Sequence, residues 1–147
     1  MKSRHELLRM GAFLLFMGMV FSVFPVSATI FSDDGFDRSA DELYELTNGS
    51  KPYETNDTPV FFFDPECISC TQAHEFLKTY LVEHPDTEIE IISVSNGTEE
   101  KDRFIEFQTA FHREKLFVPA LFIGPVGMQG SQTIITNFED VYRWYHQ

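Results

Sequence analysis

The sequence predicts an α/β fold, a central mixed four-stranded sheet flanked by helices, and three observations predict it. Pro59-Val-Phe-Phe-Phe63 is a short continuous apolar run rich in β-favouring residues, the mark of a strand buried on both faces. After it, segments with strand-like and helix-like apolar patterns follow in the order β-α-β, then α-β-β-α, which a three-layer core accommodates. The chain has 147 residues, 43% of them hydrophobic and 16 of them Phe, which suits one packed domain and is too apolar for disorder.

The elements follow in chain order. Lys2, Arg4 and Arg9 precede an uncharged run from Met10 to Phe24, which meets Pro25 and the small-residue end Val26-Ser27-Ala28. This is the three-part layout of a secretory signal peptide over residues 1–28. The run of about 15 residues is shorter than the roughly 20 that span a bilayer core, which favours cleavage after Ala28 over an uncleaved anchor. In both cases the domain lies outside the cytoplasm, secreted or membrane-anchored. Residues 29–57 read as a loosely attached polar segment with one short helix from Ser39, its cap, to Leu46.

The domain proper is predicted over residues 58–147. Its first strand stops at Asp64-Pro65. Cys70 to His84 carries Ala73, Phe76, Leu77, Tyr80 and Leu81 at helical spacing and stops before Pro85. Glu88 to Val94 begins in alternation and ends apolar, as an outer strand with one partly wet face would. Asn96-Gly97 breaks the chain, and a helix from about Glu99 to Arg113 sets Phe104, Phe107, Gln108 and Phe111 on one side. Val118 to Ile123 is the third strand, and Gly124-Pro-Val-Gly127 turns into a brief fourth near Met128. Ser131 reads as the N-cap of a last helix whose stripe is Ile134, Phe138, Val141 and Tyr145. Trp144 lies off that stripe, a docking candidate if exposed, with burial under the N-terminal polar segment the favoured alternative.

Charge and cysteine count exclude several functions. The formal charge is −12, and removing residues 1–28 leaves 119 residues at −14. No cluster of Lys and Arg exists to bind nucleic acid or anionic lipid. So acidic a surface favours solubility and repels anionic ligands such as glutathione. With only Cys67 and Cys70, one chain builds neither a multi-bridge disulfide scaffold nor a four-thiolate zinc or iron-sulfur site. The acceptor triplets at Asn48, Asn56 and Asn96 place those asparagines on the surface of an exported protein.

The chemistry concentrates at Cys67-Ile-Ser-Cys70, between a buried strand and the first turn of a helix. Two sulfurs two residues apart can reach each other, and the helix start stabilises a thiolate at the first. Cys67 at the mouth is the attacking thiol, and Cys70, one turn inside, resolves the mixed disulfide. A purely structural staple explains little, because closing so short a loop scarcely restricts the unfolded chain. A metal site is the sharper competitor: His74 shares a helix face with both cysteines, and Cys67, Cys70 and His74 could hold zinc or Cu(I) if a fourth group joined. Two other roles stand for His74, a core residue and a proton relay for Cys70. Val118-Pro119 completes the pattern. Proline at the start of a central strand lacks the N–H of the ladder, and a cis bond there would turn the Val118 backbone toward the dithiol, free to pair with an extended polypeptide. A trans proline opening the strand is the plainer alternative.

Phe61-Phe-Phe-Asp-Pro-Glu-Cys-Ile-Ser-Cys70, followed by Val118-Pro-Ala-Leu-Phe-Ile-Gly124 and by Gly130 before the final helix, resembles the thioredoxin superfamily over about residues 58 to 147. The element order is similar to its glutaredoxin-like minimal core. The resemblance implies a thioredoxin-like fold with Cys67 as nucleophile, Cys70 as resolving thiol, and Pro119 as the cis-proline of a substrate groove beside Val118. It also implies regeneration by a membrane redox partner, a quinone reductase or an electron-carrying transporter. The chain departs from the family at Ile68-Ser69, where thioredoxins carry Gly-Pro and glutaredoxins Pro-Tyr. Phe61 stands where thioredoxin has a buried acid, and Asp64 and Glu66 set negative charge near Cys67 that should oppose its ionisation.

The expected function is therefore an extracytoplasmic thiol-disulfide oxidoreductase acting on cysteine-containing exported proteins. Ile68, Ser69, Val118 and Pro119 would bind substrate, without nucleic acid or a small-molecule cofactor. Its competitors are a metallochaperone for Cu(I) or Zn(II) and a redox-inactive docking module on the same fold.

Overall fold

Alternate side chains of a strand point to opposite faces of its sheet, so a strand that buries consecutive phenylalanines needs cover on both sides. Phe61 and Phe62 are both fully buried, and two separate apolar layers receive them. The computed structural model describes residues 29–49 and 57–147; the predicted signal peptide and the Asn56 acceptor lie outside the described residues. In chain order the elements are β1 (Thr29–Ser32), β2 (Asp37–Arg38), α1 (Ala40–Asn48), β3 (Val60–Phe63), α2 (Ile68–Glu83), β4 (Glu90–Ser93), α3 (Thr98–Ala110), β5 (Ala120–Ile123), β6 (Val126–Gln129) and α4 (Ser131–Tyr145).

The protein is α/β, with a six-stranded mixed sheet in the order β2-β1-β6-β5-β3-β4. Only β3 and β4 run parallel, joined by the α2 crossover. The other pairings are antiparallel. On one face Phe61, Leu121, Ile123 and Met128 pack with Ala73 and Leu77 of α2, with Leu43 of α1, and with Ile134, Phe138 and Val141 of α4. On the other, Val60, Phe62, Ala120 and Phe122 pack with Phe31 and Phe111 and with Phe104 and Phe107 of α3.

The sheet corrects the expected count of four strands. The four expected strands are there as the contiguous run β6-β5-β3-β4, and the segment read as loosely attached adds β1 and β2 beyond β6. Thr29-Ile-Phe-Ser32 pairs along its whole length with Val126–Gln129. The reason is packing: Phe31 is fully buried beside Gly127, its partner in register, where a Cβ would come within 2.2 Å of the Phe31 ring. Phe31 also meets Phe111 and Phe122 edge-on, at 5.8 and 6.1 Å between ring centroids. The Arg113 guanidinium lies 4.6 Å over the same ring and donates to the Gly35 carbonyl and to Asp37 Oδ1, at 3.2 and 2.6 Å. One arginine thus ties the β1–β2 hairpin to the α3 layer.

Local signals set the helix ends. Ser39 caps α1 in a capping box with Glu42, and the helix runs on to Asn48. The expected Ser131 cap of α4 is corrected: Gly130 is the N-cap, with φ of 92° in the region open to glycine, and Ser131 is the first helical residue. Trp144 is buried in the layer that contains Ile30 and Leu43 of the N-terminal segment. Asn48 and Asn96 are exposed. Among the described residues, no helix is long and apolar enough to cross a membrane.

Phe31→Ala should cost about 3–5 kcal/mol in urea unfolding, as for a large aromatic removed from a core. Gly127→Ala should cost about 1–3 kcal/mol by overpacking. In the double variant the added methyl occupies space the ring has left, so the two losses should sum to less than their singles in the same titration.

Candidate functional site

The site begins where β3 leaves the sheet. Asp64 organises the turn: its Oδ1 accepts the Glu66 N–H at 2.9 Å, and its carbonyl accepts the Cys67 N–H at 3.1 Å. The turn delivers Cys67 as the N-cap of α2, in extended backbone conformation, and its Sγ accepts the Cys70 N–H at 3.2 Å. A helix start exposes N–H groups without partners, and here a sulfur takes the place usually held by a Ser or Asp oxygen. The Ser69 hydroxyl lies 3.1 Å from the same sulfur.

The two thiols, both free, differ sharply. Cys67 is partly exposed; burial opposes its ionisation, but hydrogen bonds from Cys70 and Ser69 outweigh that and lower its pKa. Cys70 is 1% exposed, and burial pushes its pKa up to about 12 against a backbone hydrogen bond from Asp64 that lowers it, with the neighbouring Cys67 adding to the rise. The charge of Asp64, expected to act against Cys67, adds only a small rise at Cys70, which the hydrogen bond from the Asp64 backbone outweighs.

The second limb of the site is the loop before β5. The Val118–Pro119 peptide is cis, and the Cys67 thiol donates to the Val118 carbonyl across 3.9 Å. The junction of β6 and α4 supports both limbs. Gln129 Oε1 accepts the Phe117 N–H at 2.9 Å, the Gly130 N–H donates to the Pro119 carbonyl at 2.9 Å, and the Ser131 hydroxyl donates to the Ser69 carbonyl. Cys67, Ile68, Ser69, Cys70, Val118 and Pro119 thus come together at one end of the sheet. Two apolar side chains stand open there, Ile68 at 89% exposure and Phe117 at 60%.

His74 is placed differently. Its ring stacks on Phe63 at 4.4 Å and Phe61 at 6.2 Å between centroids, over the β3 aromatics. Burial, then the charge of Lys78, lowers its pKa against the opposing pull of Glu75. Among the described residues no hydrogen bond joins His74 to Cys70, and no group of three or more His, Cys, Asp or Glu side chains gathers as metal ligands. The described structure does not gather Cys67, Cys70 and His74 as such a group, and the His74 ring stacks on the β3 aromatics.

Sequence reasoning missed Phe117, Gln129 and the part played by Ser131. Phe117 carried a faint signal, an apolar residue just ahead of a strand with no face to bury it. Gln129 carried none, since an amide at a strand end reads as a polar boundary.

Ser69→Ala should slow iodoacetamide labelling of Cys67 at neutral pH and move the pH profile of labelling upward, with Cys70 unlabelled in the native protein throughout. The Cys70 thiol also makes stability pH-dependent. Its folded pKa lies near 12 against an ordinary 9.0, so between those values the unfolded chain ionises first. The reduced protein should lose stability as pH rises through that window, by up to about 1.4 kcal/mol per pH unit, and Cys70→Ala should flatten the slope in urea titrations. No protein-family model matches the chain and no curated protein matches it.

Proposed function

We propose that the protein is an exported thiol-disulfide oxidoreductase with a thioredoxin-like domain, acting on cysteine-containing extracytoplasmic proteins through Cys67 and Cys70. The observation that carries the reading is the asymmetry of the pair. Cys67 is accessible and held by N–H and hydroxyl groups at a helix start facing the Val118 carbonyl, while Cys70 is buried behind it and kept protonated. Support for the fold comes from the contiguous strands β6-β5-β3-β4, with α2 and α4 packed on one face and α3 on the other.

The chemistry follows from that order of acidity. The Cys67 thiolate attacks a substrate disulfide, forming a mixed disulfide and releasing the second substrate sulfur, which takes up a proton. Cys70 gives up its proton and attacks Cys67 Sγ, and the remaining substrate sulfur leaves as a thiolate that is protonated in turn. The substrate disulfide is reduced to two thiols, and the Cys67–Cys70 pair is oxidised by two electrons. The reverse sequence oxidises a substrate dithiol. A membrane redox partner that returns the pair to its starting state sets the direction. Val118 offers backbone to an extended chain beside Pro119, Ile68 and Phe117 offer exposed apolar contact, and the acidic surface favours polypeptide over glutathione.

The test is trapping. A Cys70→Ser copy should accumulate exported proteins linked through Cys67, released by reductant and absent when Cys67 is also changed to Ser. Recovery of no linked protein, under oxidising or reducing conditions, overturns the proposal. Partner capture that survives replacement of both cysteines would instead identify a docking module.

A further inference from the structure

We propose that Gln129-Gly130-Ser131, the junction between β6 and α4, is a clamp that keeps the Cys67 turn and the Val118 limb in register for exchange, with Ser131 and Gln129 as positioning residues. The inference rests on the reading of Cys67 and Cys70 as an exchanging dithiol.

Three consecutive residues reach both limbs. The Ser131 hydroxyl donates to the Ser69 carbonyl in the first turn of α2, and Ser69 is the residue whose own hydroxyl lies 3.1 Å from Cys67 Sγ. Gly130 holds the Pro119 carbonyl and Gln129 holds the Phe117 N–H, each at 2.9 Å. Those two bonds bracket Val118, whose carbonyl faces the same sulfur. The separation between the sulfur and the backbone beside it is thus fixed by one short piece of chain.

The polar side chains involved are costly to place there. Ser131 is 7% exposed and Gln129 8%, and a buried polar group destabilises unless it is bonded. Each side chain makes a bond to main chain of a redox limb. Helix α4 even forgoes a side-chain cap, since Gly130 has none to offer and the Ser131 hydroxyl is turned to α2. An apolar pair would serve packing alone equally well, so the recipients of these bonds explain the choice of residues. Without the Ser131 bond Ser69 is free to swing away from the sulfur, and without the Gln129 bond the Phe117–Val118 limb is free to draw back.

The matched variants Ser131→Thr and Ser131→Val have the same shape and differ in the hydroxyl. We expect Ser131→Val and Ser131→Ala to label Cys67 with iodoacetamide about fivefold more slowly at pH 7, with the pH profile moved upward and exchange with a synthetic cystine peptide slowed as much, while Ser131→Thr stays near the parent. Fold loss alone would not move the pH profile of the variants whose thermal midpoints are unchanged. Coincident profiles for the Thr and Val variants overturn the clamp. Should every Ser131 variant unfold, Gln129→Leu decides: slowed peptide exchange supports the clamp and an unchanged rate overturns it. A parent protein that exchanges with no peptide overturns the redox reading itself, a result distinct from either.

Discussion

The bond from the Cys70 N–H to Cys67 Sγ is the constraint on which the rest of the site depends. A helix that begins one short turn after a buried strand must satisfy its first N–H groups locally, and here the satisfying atom is the partly exposed sulfur of Cys67. Stability of α2 and readiness of Cys67 to ionise therefore share a single interaction. The arrangement also separates the two thiols. The residue that caps must sit outside the helix and keep some exposure, and the residue that donates to it lies one turn further in, against the core. Their opposite shifts in acidity follow from that turn of depth.

The core makes the site rigid enough for such small distances to matter. Six phenylalanines, at 31, 62, 104, 107, 111 and 122, interlock on the α3 face with centroid separations from 4.7 to 6.1 Å. Edge-to-face and tilted packing of this kind fixes ring orientation as well as burying area. On the opposite face α2 and α4 share the Ala73, Leu77 and Phe138 layer, so the helix that carries the sulfurs and the helix that steadies them are braced by the same contacts.

Much of this was legible in the sequence, and the exceptions have physical causes. The Phe61–Phe63 run, the α2 and α4 stripes and the spacing of Cys67 from Cys70 are periodic or local features, and they identified the central strands and the sulfur-bearing helix start. β1 was not legible because four residues between a signal-like segment and an Asp-Asp-Gly turn are too short for any period, and its strand character comes from the partner Gly127 almost a hundred residues away. Ser131 looked like a cap because serine before a helix usually is one; only the three-dimensional approach of α2 redirects its hydroxyl. His74 shares a helix face with the cysteines in sequence, yet the β3 aromatics claim its ring. Gln129 and Phe117 take their roles from a long-range meeting of loops, which no local pattern encodes.

The direction of β1 has a consequence for how the molecule presents its sulfur. Thr29 lies opposite Gln129, so the described chain starts at the end of the sheet where the two cysteines sit, while α4 departs from that end and carries the chain about 22 Å away over its 15 residues. A tether fixed ahead of Thr29 would leave from the same end of the sheet as the dithiol, and one fixed after Gln147 from beyond the far end of α4. The polarity of attachment therefore sets which end of the domain, with the dithiol or without it, lies nearer the tether.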